Sequence, residues 1–148
     1  MKTEQIELSN QECLNGFQAL QSISSDDLEF GMTYTMSLNL KELRRASENY
    51  SEFREAIFKE TCELDERGEP VVDKESRRYQ FKNVEDEIAA TSKITALNKT
   101  MVSLNLYVYP LSAFAKAKIA HTLLEHLTWM VREGDEPAPP KSRTKKST

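Results

Sequence analysis

Glycine and cysteine are scarce in this chain of 148 residues, and each shortage excludes a class of site. The four glycines are widely spaced, so the chain has neither a glycine-rich phosphate loop nor a Gly-x-Ser-x-Gly elbow around a serine nucleophile. The two cysteines, Cys13 and Cys62, lie far apart and form neither a metal pattern nor a disulfide framework. We therefore predict a protein that is not an enzyme and has no cofactor, with both cysteines in the core.

Long apolar runs and a strong net charge are also lacking. No run of about 18 apolar residues occurs and the N-terminus has no secretory signal, so we predict a cytoplasmic protein without a membrane span. The net charge of -4 at pH 7 is mild, and the basic residues after Gly134 leave the body before them more acidic than the whole chain. Because proteins that bind duplex DNA usually present a basic face, nucleic acid is not the expected main ligand.

The sequence does contain one long helical pattern, from about Gly31 to Leu64, with no glycine or proline between Gly31 and Gly68. Apolar residues recur there with a period of about 3.5, as in a coiled coil, which predicts a helix with one apolar face. They are Met36, Leu43, Tyr50, Ile57 and Leu64, with Leu40, Ala46, Phe53 and Ala56 beside them. Residues 31–38 also alternate as a strand would, and Asn39 with Glu42 offers a later helix start; we favour a start near Met32.

Shorter elements precede and follow this helix. Alternation over Lys2–Leu8 and over Val102–Tyr109 predicts two strands. Ser9 and Glu12 form a capping box that predicts a first short helix.

The long helix is predicted to end at a charged turn containing Gly68 and Pro70. Residues 71–72 and 78–81 then flank a polar segment and are expected to pair as a small hairpin at the tip. Asn83 is predicted to cap a helix of about 18 to 20 residues that runs back along the long one. Ser112 can cap a final helix, and its apolar residues extend that helix to Gly134.

These elements predict a mainly α-helical fold with a minor β element, an α+β protein. A long antiparallel helical hairpin would carry a small sheet at its base, with the C-terminal helix packed on that base. Residues 1–134 would form a single domain. Residues 135–148 are proline-rich and basic and lack large apolar side chains, so we predict a disordered tail.

The order of elements resembles that of a family of short phage and prophage proteins of uncharacterised function. The matching stretches are Lys2–Leu20, Tyr50–Val72 with its charged turn from Leu64 to Val71, and Leu104–Ser112. The C-terminal helix, the proline-rich segment and the basic tail depart from that pattern. The resemblance brings no catalytic residues. It implies a phage setting and a protein that binds a host or viral protein as an inhibitor, adaptor or chaperone, for example against a host defence system.

Three aromatic residues are predicted to bind that partner: Tyr107, Tyr109 and Trp129. If the leucines of the second strand face the core, the two tyrosines lie together on its outer face, where exposed aromatics favour partner binding. Trp129 is included because tryptophan is enriched at binding hot spots. The alternatives are that the C-terminal helix covers the tyrosines and that the tryptophan belongs to the core.

The long helix is also predicted to form a homodimer. Its clear partner helix within the chain is shorter, so part of the apolar stripe would lack cover, and two-fold pairing of like surfaces is the commonest way to bury it. The residues proposed for this contact are Met36, Leu43, Tyr50 and Ile57. Alternatively, the C-terminal helix packs there and leaves a monomer.

Other polar residues have simpler explanations than chemistry. His121 and His126 diverge by roughly 140° around a helix, whereas metal ligands prefer the i, i+4 spacing of one face. The acidic residues at 26–27 and 85–87 lie near helix starts, where capping and the helix dipole account for them. We therefore predict no metal site.

A nucleic-acid accessory protein is the alternative function. It would use the patch of Arg44 and Arg45 together with the basic tail residues Lys141, Arg143, Lys145 and Lys146. Four charges on a tail are more commonly solubilising, so protein binding is the preferred hypothesis.

Overall fold

The computed structural model describes residues 2–23, 28–114, 119 and 121–133. The helices are α1 (Asn10–Gln21), α2 (Phe30–Thr61), α3 (Val84–Lys99) and α4 (His121–Leu124), and the strands are β1 (Lys2–Ser9), β2 (Met101–Pro110) and β3 (Val131–Arg132). Two 3₁₀ turns, Leu111–Phe114 and Thr128–Met130, complete the order. The mixed α+β class is confirmed. The tail predicted for residues 135–148 lies outside the described residues.

The sheet has the order β1-β2-β3, with β2 in the centre. Strand β1 pairs antiparallel with β2 so that Ile6 faces Leu104, and β3 runs parallel to β2 with Val131 beside Tyr109. Both predicted strands are thus confirmed, whereas β3 was not predicted. Alternation sets the faces of β2, since Leu104 and Leu106 are buried and Asn105 between them is exposed.

The predicted capping box connects β1 to α1. The Ser9 hydroxyl accepts the Glu12 amide at 3.1 Å, and the Glu12 carboxylate accepts the Ser9 amide at 2.8 Å. Further along α1, a Cβ atom added at Gly16 would lie 3.2 Å from Nε1 of Trp129. The small residue therefore allows the C-terminal segment to approach α1 closely.

Helix α2 begins at Phe30, so residues 31–38 are helical and the alternative start at Asn39 is wrong. Asn39 is buried in the helix interior, and its carboxamide bonds to the backbone of Tyr107 in β2. The alternation over 31–38 does not mark a strand, because the helix buries Met32, Thr35 and Met36 on one face and leaves Tyr34 exposed.

The end of α2 also differs from the prediction. The helix stops at Thr61, and Cys62 is extended because it pairs with Phe81. Gly68 does have a positive φ of 81°, but it lies in a later turn and does not end the helix.

Helix α3 contacts the second half of α2. The Tyr50 hydroxyl donates to Oδ1 of Asn98 at 2.6 Å, and Nζ of Lys93 lies 2.7 Å from Oε1 of Glu60. The predicted cap at Asn83 is confirmed, since its side chain accepts the amide of Asp86. Within α3, all of which is described, Ala90 is the one buried residue. Most of this helix therefore faces outward.

The single helix predicted from Ser112 to Gly134 is not observed in the described part of that segment. Leu127 leaves the helical region with φ −124° and ψ 13°, and Val131 pairs with β2. Leu127 and Met130 are fully buried in the core beside α1, α2 and the sheet. Leu127 and Met130 are thus buried by a chain that folds back, and not by a single helix. The short strand β3 pairs with the backbone groups at one end of β2.

Candidate protein-binding surface

Residues 62–82, the tip segment, join α2 to α3 through a series of short backbone pairs. Bridges link Cys62 to Phe81, and Val72 to Tyr79 in the hairpin that the sequence predicted. A further bond runs from the amide of Glu63 to the carbonyl of Gln80 at 2.9 Å. These pairs hold the tip segment against the end of α2.

The first turn of the tip segment is built around Asp65. Its Oδ1 accepts the amides of Arg67 at 2.8 Å and Glu69 at 3.0 Å. Both bonds hold the pKa of the Asp65 carboxyl below its usual value, and the bond from the Glu69 amide has the larger effect. Gly68 takes its positive φ within this turn, where a side chain would be strained.

Asp73 organises the second turn in the same way. Its carboxylate accepts the Ser76 hydroxyl at 2.8 Å and the Glu75 amide at 3.2 Å. The Ser76 bond is the main reason that the pKa of Asp73 lies below its usual value. Arg77 follows with φ 60°. The next residues re-enter the tip hairpin and lead to the aromatic pair Tyr79 and Phe81.

An aromatic cluster lies where the tip segment meets α2. The rings of Phe58 and Tyr79 stack with centroids 3.9 Å apart and planes 13° apart. Phe81 lies 6.3 Å from Phe58 in a tilted arrangement, and the Arg54 guanidinium lies 4.8 Å over the Phe58 ring. Aromatic pairs and cation–π contacts of this geometry stabilise a rigid apolar base.

This cluster forms the floor of an open groove, called here the tip groove, of about 290 Å³. Its floor is Phe58, Tyr79 and Phe81, and Ile94 with its neighbours on α3 forms the wall. The α3 surface continues past the groove to Val84 and Ile88, which are 69% and 64% exposed. A rigid aromatic floor beside exposed aliphatic side chains suits an apolar side chain from another molecule.

The rim of the tip groove is polar. Arg78 and Glu87 form an exposed ion pair of 3.7 Å on one side, and Thr91 and Thr95 are exposed on α3. An exposed pair of this kind contributes little to stability, so these charges remain available to orient a ligand. An apolar floor with a polar rim is the usual composition of a protein interface.

The three residues predicted to bind a partner do not form one exposed patch. Tyr109 is 1% exposed, its hydroxyl lies 2.7 Å from that of Thr35, and its ring packs edge-on against Phe114. The prediction of two exposed tyrosines is therefore wrong, because α2 and the following turn cover this end of β2. Burial also raises the pKa of Tyr109. Tyr107 and Trp129 are half-buried, and their role in binding stays a prediction.

The residues predicted for self-association are mostly covered within the chain. Met36, Leu43 and Tyr50 are buried, and Ile57 is half-buried. The first three cannot form the exposed face that the prediction required, since the sheet, α1 and α3 pack around α2. Within α2, the large apolar member of the stripe that stays uncovered is Phe53, which is 65% exposed.

The arginine patch of the alternative function is engaged on the surface. The Arg44 guanidinium lies 5.8 Å from the ring centroid of Phe17, and Arg45 pairs with Glu42. The four basic tail residues lie outside the described residues. A continuous basic face joining them to this patch therefore stays a prediction.

The cysteines and histidines considered for catalysis or metal binding do not form a site in the described part of the chain. Burial raises the pKa of the Cys13 thiol to about 11 and also raises that of Cys62, so both thiols stay protonated and unreactive at neutral pH. His126 is exposed, and the side chain of His121 lies outside the described residues. In the described part of the chain, no three His, Cys, Asp or Glu residues come together as a metal site. None of its helices combines the length and apolarity needed to cross a bilayer.

The tip groove was missed by sequence analysis. Phe58 falls beside the seven-residue line of α2, and Tyr79 and Phe81 alternate across Gln80, a weak signal for one shared face. Their contact depends on α2 ending at Thr61. No family model, curated protein or solved structure matches this chain.

Proposed function

We propose that this protein is a non-enzymatic interaction protein that binds another protein through the tip groove. The observation that carries the proposal is the stacked floor of Phe58 and Tyr79 beside the exposed Val84 and Ile88. Monomers rarely leave contiguous apolar surface of this kind without a binding role.

Helices α2 and α3 serve in this proposal as an antiparallel hairpin that presents the groove. Asn39 fixes α2 to the sheet, and the distance along the helix from Asn39 to Thr61 is roughly 30 Å. The groove therefore projects away from the core, while the Tyr50–Asn98 bond and the Glu60–Lys93 ion pair hold α3 beside α2. A partner can reach the groove without displacing the sheet.

The partner that fits is a protein segment with one large apolar side chain flanked by polar groups. The apolar side chain would pack on the aromatic floor, and the ion pair of Arg78 and Glu87 would meet polar groups at the rim. The threonine hydroxyls of α3 add hydrogen-bonding groups. An amphipathic helix or an extended segment satisfies these requirements.

The resemblance to short phage proteins supplies the setting of the proposal. A phage-encoded protein of this design acts in the host cytoplasm by occupying a surface of a host or viral protein. Inhibition of a host defence system is one such role, and adaptor or chaperone activity are the others.

The test compares two exposed threonines given the same substitution. Thr95→Arg places a long charged side chain in the tip groove, whereas Thr3→Arg does so on the exposed face of β1. Each variant is used for affinity capture from infected cells, and the captured protein is identified and re-tested in purified form. Wild type and Thr3→Arg should bind it, and Thr95→Arg should not. Equal binding by both variants, with unchanged melting temperatures, would overturn the proposal.

A further inference from the structure

A second apolar surface lies on the other side of the α2–α3 pair. Phe53 and Phe58 are five residues apart in α2, so their side chains diverge by roughly 140° around the helix. Phe53 is 65% exposed. Phe53 borders an open hollow of about 350 Å³ whose apolar lining includes Tyr50, Leu97 and Val102. We call this region the Phe53 surface.

Two opposite charges flank Phe53 at nearly equal distances along α2, one about 80° and the other about 20° around the helix from it in the same sense. Arg45 precedes Phe53 by eight residues and Glu60 follows it by seven, and their side chains are 64% and 66% exposed. At 1.5 Å per residue, each charge lies roughly 11 Å from the phenylalanine along the helix. If a second α2 runs antiparallel and is related by a two-fold axis at Phe53, Arg45 of each copy therefore lies opposite Glu60 of the other copy.

Each of these residues already belongs to an ion pair within its own chain. Arg45 pairs with Glu42, and Glu60 pairs with Lys93. In the antiparallel arrangement, Glu42 and Arg45 of one copy lie beside Glu60 and Lys93 of the other copy. Acidic and basic side chains then alternate in the order Glu42, Arg45, Glu60 and Lys93. This alternation favours the antiparallel register. In a parallel pair, Arg45 would instead face Arg45 and Glu60 would face Glu60.

We propose that the Phe53 surface binds a second copy of this chain, with the two α2 helices antiparallel and crossing at Phe53. The projecting ring of each copy packs on the other ring and on the apolar hollow beside it. A two-fold axis needs one self-complementary patch, and a projecting phenyl group beside an apolar hollow meets that condition. This contact is centred on Phe53, unlike the one predicted at Met36, Leu43, Tyr50 and Ile57, of which the chain itself covers the first three. The two contacts share Tyr50, whose side chain lines the hollow beside Phe53.

The size of the contact sets its strength. The stretch between Arg45 and Glu60 spans about 22 Å of helix. A single helix crossing of that length buries less area than a standard interface, so we expect a dimer that dissociates in the micromolar range. The tip groove lies on the other side and stays open in this dimer.

Sedimentation velocity over a series of micromolar concentrations tests the proposal. Wild type should shift from a 17.0 kDa monomer toward a dimer as concentration rises. Phe53→Ser should stay monomeric, whereas Phe30→Ser, at a phenylalanine that is 85% exposed at the start of α2, should behave as wild type. A wild-type monomer at every concentration, or equal dimerisation of Phe53→Ser, would overturn the proposal.

A charge exchange tests the register without altering apolar residues. Arg45→Glu should raise the dissociation constant by roughly tenfold, because like charges then face each other. Adding Glu60→Arg should restore part of the lost dimerisation, because opposite charges again face each other across the contact while Glu42 and Lys93 then adjoin like charges in their own chains. Failure of this restoration, with both variants folded by circular dichroism, would contradict the antiparallel register. These outcomes do not depend on any partner at the tip groove.

Discussion

The carboxamide of Asn39 pairs with both backbone groups of Tyr107. Its Nδ2 donates to the Tyr107 carbonyl at 3.0 Å, and its Oδ1 accepts the Tyr107 amide at 2.7 Å. A side chain in the first third of α2 thus provides the two bonds that a neighbouring strand would give to β2. Two residues further along, β3 takes over that edge of β2 at Tyr109. Helix α2 is fixed to the sheet at this point.

Removing this pairing should destabilise the fold. Asn39→Ala leaves the amide and carbonyl of Tyr107 without their partner, and we expect a loss of about 2–3 kcal/mol in the free energy of unfolding. Asn105→Ala, at an exposed position of β2, is the control and should change it by less than about 0.5 kcal/mol. Urea denaturation measures both. Similar midpoints for the two variants would show that the pairing contributes little.

The buried hydroxyl pair of Thr35 and Tyr109 gives a second prediction. Tyr109→Phe removes a bond of 2.7 Å and should cost about 1–2 kcal/mol. The Thr35 hydroxyl also bonds to the Met32 carbonyl, which limits the loss. Tyr34→Phe, at a tyrosine that is 58% exposed, should leave the unfolding free energy unchanged. An equal effect of the two substitutions would contradict this role for the pair.

The same tyrosine predicts a pH dependence. Its folded pKa is raised above the ordinary value of 10.0, chiefly by burial, so the folded state holds the phenolic proton more tightly than the unfolded state. The stabilisation is complete below pH 10 and is lost as pH rises through the folded pKa. The stability difference between wild type and Tyr109→Phe should therefore shrink above pH 10. A difference that stays constant from pH 8 to pH 11 would contradict the raised pKa.

Ser47 gives a prediction of the opposite sign. Its hydroxyl is buried and has no hydrogen-bond partner among the residues that the structure describes. Ser47→Ala should stabilise the protein by about 1 kcal/mol, since it removes an unpaired polar group and raises helix propensity. Ser51→Ala, at an exposed site of the same helix, should show the propensity term alone. Thermal unfolding of both variants separates the effect of removing the unpaired hydroxyl from that of helix propensity. A gain in stability at Ser47 that is no larger than the gain at Ser51 would contradict this prediction.

The elements that could be predicted are those specified by local pattern. The capping box of Ser9 and Glu12, the cap at Asn83 and the alternation of Val102–Tyr109 each act within a few residues, and each is present in the structure. The charged turn forms, but the prediction that it ends α2 is wrong, because the helix already stops at Thr61 and Cys62 pairs with Phe81.

The rest depends on contacts between distant residues. Asn39 reads as a helix cap in the sequence, and its bonds to Tyr107 emerge only when α2 lies against β2. The apolar residues of the C-terminal segment fit a helix equally well, and pairing of Val131 with Tyr109 decides otherwise. The tip groove was not predicted for the same reason, since Phe58 and Tyr79 meet through tertiary structure.

Site-specific photocrosslinking tests the central claim, binding of a partner protein at the tip groove, most directly. A photoreactive phenylalanine analogue is placed at Ile88, on the α3 surface beside the groove, or at Phe30, which is also exposed and lies at the far end of α2. In infected cells, the Ile88 position should give one discrete adduct with another protein, and the Phe30 position should not. Thr95→Arg in the same chain should abolish that adduct. An adduct at Phe30 with none at Ile88 would contradict the account.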